Sequence, residues 1–239
     1  MIMTLLRRAV AKLPLRWQGE LRRIHFRRRI RLGTFVSDEP EFALLPKLIS
    51  NGDWVIDIGA NVGFYTKRFA ELVGPKGRVI AFEPVPDTFV LLANNMEVCG
   101  IANVTLVNAA LSDSSGVAGI AIPDFPETGQ RNYYQAHLAD AAGSNLTILT
   151  LNLDGLQVPR SVRLVKIDAE GHELSVLKGM LKILRRDRPL LIVETGKSEV
   201  WDMLKALGYV GSQLPGSPNV IFHCRDDKGG PIEGVPSAA

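Results

Sequence analysis

Asp57, Gly59, Asn61 and Gly63 lie in one short stretch, Asp57-Ile58-Gly59-Ala60-Asn61-Val62-Gly63, directly after the apolar run Trp54-Val55-Ile56. A strand that ends in a carboxylate, then a glycine-bearing turn, then a helix builds a small-ligand site at the carboxyl edge of a parallel sheet. Glycine lets the backbone approach a ligand without a Cβ clash. A dinucleotide fingerprint, G-x-G-x-x-G, would need glycine where Asn61 stands, so the stretch reads D-x-G-x-x-x-G instead. A second carboxylate, Glu83, ends the apolar run Ala81-Phe82, roughly 20 residues further on, where such an acid accepts hydrogen bonds from ribose hydroxyls. Three more titratable groups, Asp168, Glu170 and His172, cluster after Leu164-Val165-Lys166-Ile167. Burial and mutual charge can tune an acid–base pair in such a cluster.

These groups need elements to position them. Strands are predicted at Trp54 to Ile58, Arg78 to Phe82, Val104 to Asn108, Leu164 to Ile167 and Leu190 to Val193. Helices are predicted between them at Phe64 to Val73, Pro86 to Cys99, Glu173 to Arg186 and Glu199 to Leu207. Ser37 and Asp38 are expected to cap a further helix across Pro40 to Ile49. Tyr209-Val210 and Val220 to His223 read as a closing antiparallel pair. Residues 111–146 read as irregular, with a short strand at Val117 to Ile122, and Leu149 to Leu153 as extended. The expected fold is α/β: a doubly wound, mostly parallel seven-stranded sheet with helices on both faces. Residues 1–36 are expected to form a basic helical arm, 37–225 the catalytic domain and 226–239 a loose tail.

The motifs occur in a recognisable order: DIGANVGFYT from Asp57, AFEPVP from Ala81, Asn94-Asn95, Asn108 to Ser112, Leu153-Asp154, VKIDAEGHE from Val165, and Arg188 to Glu194. This series resembles the FkbM family of methyltransferases over roughly residues 50–225. The resemblance implies a Rossmann-like enzyme that uses S-adenosylmethionine to methylate a hydroxyl of a sugar, glycan or secondary metabolite. It assigns Asp57, Gly59, Asn61 and Gly63 to the methionine end of the donor, with Tyr65 in the same motif, and Glu83 to the ribose. Asn108 ends the third strand near the expected adenine site; it serves either as a polar contact or as the cap of a turn. Asp168, at a strand exit, is the first candidate base. His172, with an ordinary pKa nearest neutral, is the second. Glu170 is either a third candidate or a helix-start acid. Asp168 and Glu194 could share Mg²⁺, but Glu194 is followed by Thr195-Gly196 and no metal is expected. Arg131, Asn132, Tyr133, Tyr134 and His137, in the loop 123–146, suit recognition of sugar hydroxyls. The alternatives are a nicotinamide-dependent oxidoreductase on the same architecture and a nucleic-acid methyltransferase.

Charge is uneven. Residues 1–31 hold ten Lys/Arg and one acid, Glu20, while the remainder carries 18 basic and 24 acidic residues. Leu5, Leu6, Ala9, Val10 and Leu13 recur at helical spacing, and Leu21 and Ile24 sit within a second basic stretch. Such a segment can dock on the body, lie on an anionic membrane or follow an acidic glycan. No aromatic interleaving accompanies the arginines, so no specific nucleic-acid partner is expected. Cys99 and Cys224 form no CxxC pair, and no apolar run reaches the roughly 18 residues of a spanning helix. The expected location is the cytoplasm, with peripheral contact at the inner face of the membrane.

Overall fold

The computed structural model describes residues 10–126, 128–129, 131–139, 143–144 and 146–224. The helical spacing read at Leu5 to Ala9 and the tail beyond residue 224 lie outside them.

Seven strands form the main sheet. They are β1 (Trp54–Ile58), β2 (Arg78–Phe82), β3 (Val104–Val107), β8 (Val162–Ile167), β9 (Leu190–Glu194), β10 (Tyr209–Gln213) and β11 (Asn219–Cys224). The spatial order is β10-β11-β9-β8-β1-β2-β3. The five strands from β9 to β3 run parallel, while β11 pairs antiparallel with β9 and β10 antiparallel with β11.

Both faces of the sheet are covered, so its strands are apolar in both directions. Ile56, Ile58, Val165, Ile167, Leu191 and Val193 face one way. They pack there on three helices, α5 (Glu173–Lys178), α6 (Leu181–Asp187) and α7 (Ser198–Ala206). Val55, Leu164, Leu190 and Ile192 face the other way, onto α2 (Leu45–Leu48) and α3 (Phe64–Val73). Alternation along a strand therefore sends Asp57 and Lys166 to the α3 face as well. Their Cα atoms are register partners across β1 and β8.

Helix α1 (Leu15–Arg31) packs on α4 (Pro86–Val98). Phe26 anchors it, 5% exposed, in a cluster with Phe35, Val62, Leu91, Leu92 and Met96. Leu21 and Ile24 do not dock; they are 41% and 63% exposed.

Three elements depart from expectation. Pro40 to Ile49 is not one helix but a 3₁₀ turn, Pro40–Ala43, followed by the short α2. Pro46 has no N–H to give back to the preceding turn, and Ser37 receives the Glu39 N–H without capping a helix. Glu173 to Arg186 is split at Gly179 into α5 and α6. A Cβ at Gly179 would sit 2.0 Å from the Ser112 carbonyl oxygen, so the chain bends where it presses on another segment.

Residues 111–146 hold more regular structure than expected, and the short strand expected at Val117 to Ile122 is present as Gly116–Ala121. With their neighbours they build a second sheet from β4 (Ala110–Leu111), β5 (Gly116–Ala121), β6 (His137–Ala139) and β7 (Leu146–Leu151), in the order β4-β7-β5-β6. The expected extended segment Leu149 to Leu153 is the second half of β7 and the start of a 3₁₀ turn, Leu153–Gly155. Gly and Ala in β5 carry little strand propensity. Gly119 is there for close packing: a Cβ on it would lie 2.6 Å from the Ser144 Cβ.

Candidate active site

The exits of β1, β2 and β8 are stitched together by backbone hydrogen bonds. The Gly59 and Ala60 amides donate to the Phe82 carbonyl at 3.0 and 2.9 Å, and the Asp168 amide donates to the Ile58 carbonyl at 3.0 Å. Gly59 adopts φ +76°, and a Cβ there would meet the Asp168 carbonyl oxygen at 1.9 Å. Glycine is therefore needed for the approach of β8 as much as for the turn. Asn61 also has positive φ, 49°. Its amide donates to Glu83 Oε2 at 2.8 Å, and the Val85 amide donates to Glu83 Oε1 at 2.9 Å. Both carboxylate oxygens are thus fixed by backbone, and each keeps a lone pair for a ligand hydroxyl. Burial pushes Glu83 up to about 7 despite these two donors.

Asp57 is fully buried and accepts a 2.5 Å hydrogen bond from Thr66 Oγ1. Burial raises its pKa to about 6, against the pull of Lys166. Its Oδ1 has no hydrogen-bond partner among the described residues, and neither has Glu39 Oε2. Lys166 Nζ lies 2.9 Å from Asp168 Oδ2 and 4.8 Å from the centre of the Tyr65 ring. Burial works against its ammonium, but Asp168 and Asp57 outweigh it and the pKa is raised. Tyr65 donates to Glu41 Oε1 at 3.1 Å, and Glu41 also receives Ser217 Oγ at 2.6 Å and the Asn219 amide group. Burial, followed by Glu39 and Glu41, raises the Tyr65 pKa. This buried chain ties the floor of the site to β11.

Beyond β8 the turn is tight. Glu170 has φ 46° and is exposed, with its pKa raised by burial and by Asp168. Gly171 donates its amide to Glu173 Oε1 at 2.7 Å, and the Lys197 ammonium donates to the Gly171 carbonyl. His172 Nε2 lies 2.9 Å from Ser112 Oγ, and burial lowers its pKa.

Two cavities open at these exits. One, of about 240 Å³, runs past Glu83, Val85 and Ala110 to Asp168, Glu170 and His172. The other, of about 460 Å³, is lined by Asp57, Tyr65, Lys166, Arg29 and Asp38. Glu39, Gly59, Asn61 and Asp168 belong to both. Asp57, Gly59, Asn61, Tyr65, Glu83, Asp168, Glu170 and His172 thus converge as the sequence suggested. Gly63 and Asn108 line neither cavity. Gly63, at φ +98°, lets α3 press on Leu92 and Met96 of α4. Asn108 Nδ2 donates to the Glu83 and Pro84 carbonyls at 2.8 and 3.1 Å and pins the turn behind Glu83.

In the 123–146 segment Tyr133 and His137 line the smaller cavity, and the Tyr133 hydroxyl donates to Asp87 at 2.9 Å. Arg131 forms an isolated antiparallel backbone bridge with Asp124, Asn132 is held against Gln135, and the Tyr134 side chain lies outside the described residues. Sequence reasoning missed Glu39, which lies in a loop without a motif, and Lys166, whose role depends on its pairing with Asp57. Glu194 had been weighed only as a metal ligand. It lines the smaller cavity, and burial and Asp168 push its pKa up to about 7.

Comparison with known proteins agrees with this geometry. The model of the methyltransferase FkbM domain matches residues 57–210. The hexuronic acid methyltransferase AglP of Haloferax volcanii is 35% identical over 146 residues, covering 59% of this chain and 56% of that protein. Methyltransferase 1 of Beauveria bassiana is 25% identical over 147 residues, covering 53% and 58%. The chain thus spans a little over half the length of these curated relatives. The solved structure of methyltransferase FkbM from Methylobacillus flagellatus KT superposes with a TM-score of 0.54 at 16% identity, over 77% of this chain and 50% of that one, which speaks for the fold. The matched pattern runs from the carboxylate of β1 into β10, well over half of the sequence, and the chain belongs to the FkbM methyltransferase family.

Proposed function

We propose that the protein is an S-adenosylmethionine-dependent O-methyltransferase acting on a hydroxyl of a sugar, glycan or secondary metabolite. The observation that carries this reading is the junction of the two cavities at Gly59, Asn61 and Asp168. Glu83 in one cavity suits ribose hydroxyls. The unpartnered Asp57 Oδ1 and Glu39 Oε2 in the other suit an amino acid's ammonium group. The Lys166 ammonium, which keeps donors beyond its bond to Asp168, suits its carboxylate. S-Adenosylmethionine, when bound, supplies a sulfonium-activated methyl group. Family membership argues against the nicotinamide reading of the same architecture.

Asp168 is the proton acceptor in this reading. The Lys166 ammonium fixes one of its oxygens at 2.9 Å, leaving the other for the acceptor hydroxyl. Glu194, raised to about 7, is placed to take the proton at neutral pH. Asp168, Glu170 and Glu194 on one wall favour a neutral hydroxyl over an anionic carboxylate as acceptor, since like charges repel. The hexuronic acid named for the Haloferax relative supports a sugar. Transfer of labelled methyl to a panel of glycosides tests the assignment. Asp168→Asn is expected to lower turnover about 100-fold or more, with donor affinity by calorimetry changed only a few-fold. Full turnover in Asp168→Asn, Glu194→Gln and His172→Ala alike would remove these groups from the chemistry.

A further inference from the structure

We propose that the outward face of α1 seats the protein on an anionic lipid bilayer. Trp17, Leu21 and Ile24 are 54%, 41% and 63% exposed. At spacings of four and three they form one stripe along the helix. Phe26 follows Trp17 by nine residues, half a turn away from the stripe. Phe26 is the docked side, with its ring edge-on to Phe35 and Phe64 at 6.0 and 6.2 Å. The helix thus has two apolar faces, one used by the fold and one turned to water.

Charge identifies the occupant. Arg28 and Arg31 fall in the same outward sector as Trp17, with Arg16 and Arg27 beside it. Glu20 is the one acid in the helix, and it pairs with Arg23 at 2.5 Å. Arg27, Arg28 and Arg31 have no ion-pair partner among the described residues. A soluble polyanion would satisfy the arginines and leave the apolar stripe in water. An anionic bilayer surface satisfies both: phosphates take the guanidinium groups, and the indole and aliphatic side chains enter the headgroup boundary. No helix among the described residues is long and apolar enough to cross a membrane, so α1 would lie in the plane of the interface.

The test is co-sedimentation of the full chain with vesicles of phosphatidylcholine alone, or of phosphatidylcholine with one part in three phosphatidylglycerol. Partition is expected to be at least tenfold stronger on the anionic vesicles. Arg28→Gln/Arg31→Gln should lose about tenfold or more, since each arginine near such a surface counts for about fivefold. Trp17→Ala/Leu21→Ala/Ile24→Ala should lose a similar factor. Both variants should keep the parent melting temperature, because these side chains face away from the core. Addition of anionic vesicles should shift the tryptophan fluorescence to the blue, and Trp17→Phe should abolish that shift. Equal pelleting with both vesicle types would overturn the proposal. So would a triple variant that partitions like the parent, or heparin binding that outcompetes vesicles and ignores the triple substitution; either would make the arginines a polyanion site.

Discussion

At the scale of single residues, Glu83 carries the sharpest expectation. Its oxygens are oriented by two amides and its charge is held back by burial, so with Glu83 as the proposed ribose contact donor binding and ionisation would be linked. A ribose hydroxyl donates best to the ionised form. Donor affinity, measured by calorimetry, should therefore rise between pH 6 and 8, through the shifted pKa of about 7. Glu83→Gln should weaken it about 10- to 100-fold at pH 8 and flatten the pH dependence. A variant that keeps the parent affinity would remove Glu83 from the donor site. Glu83, Asp57 and Asp168 were legible in the sequence because each ends an apolar run, and a strand end is a local signal. Lys166 was not: a lysine within an apolar strand gives no local sign that the pairing of β8 with β1 buries it beside Asp57, with its ammonium on Asp168. Gly63 and Asn108 have structural roles of their own: Gly63 lets α3 press on α4, and Asn108 takes the turn-pinning alternative that its position at a strand end allowed.

At the scale of elements, the parallel core was legible because β1, β2 and α3 carry their own boundaries in glycine, proline and apolar runs. The break between α5 and α6 was not, because its cause lies in other segments. Ser112 presses on Gly179, and Asp154 caps the new helix from outside, accepting the Lys182 and Ile183 amides at 2.8 and 3.2 Å. Removal of this carboxylate in Asp154→Ala should cost about 1 kcal/mol in urea unfolding, the typical worth of an N-cap. An unchanged midpoint would mean that packing alone holds α6. The small sheet was legible only as two separate extended pieces, Val117 to Ile122 and Leu149 to Leu153, for a related reason. β5 pairs with β7 across some 30 residues, and its Gly119 answers to close neighbours rather than to strand propensity.

At the scale of the whole molecule, three cavity carboxylates share one direction of shift. Asp57 is raised to about 6, and Glu83 and Glu194 to about 7. Between their ordinary values and these, the native state binds more protons than the unfolded chain, so ligand-free stability falls as pH rises. The contribution is fully present below about pH 4.5 and gone above about pH 7. For the buried Glu83 alone it amounts to about 3 kcal/mol. The melting temperature of the ligand-free protein should decline from pH 5 to 8, and less steeply in Glu83→Gln; a rise over that range would contradict the burial of these groups. The small sheet has a different kind of consequence. It leaves and rejoins the chain between β3 and β8, and it contributes Ile120, His137 and Leu138 to the cavity wall while the strand exits around Gly59 stay untouched. Substitutions at Ile120, His137 and Leu138 would therefore refit that wall to a different guest while leaving the strand exits as they are.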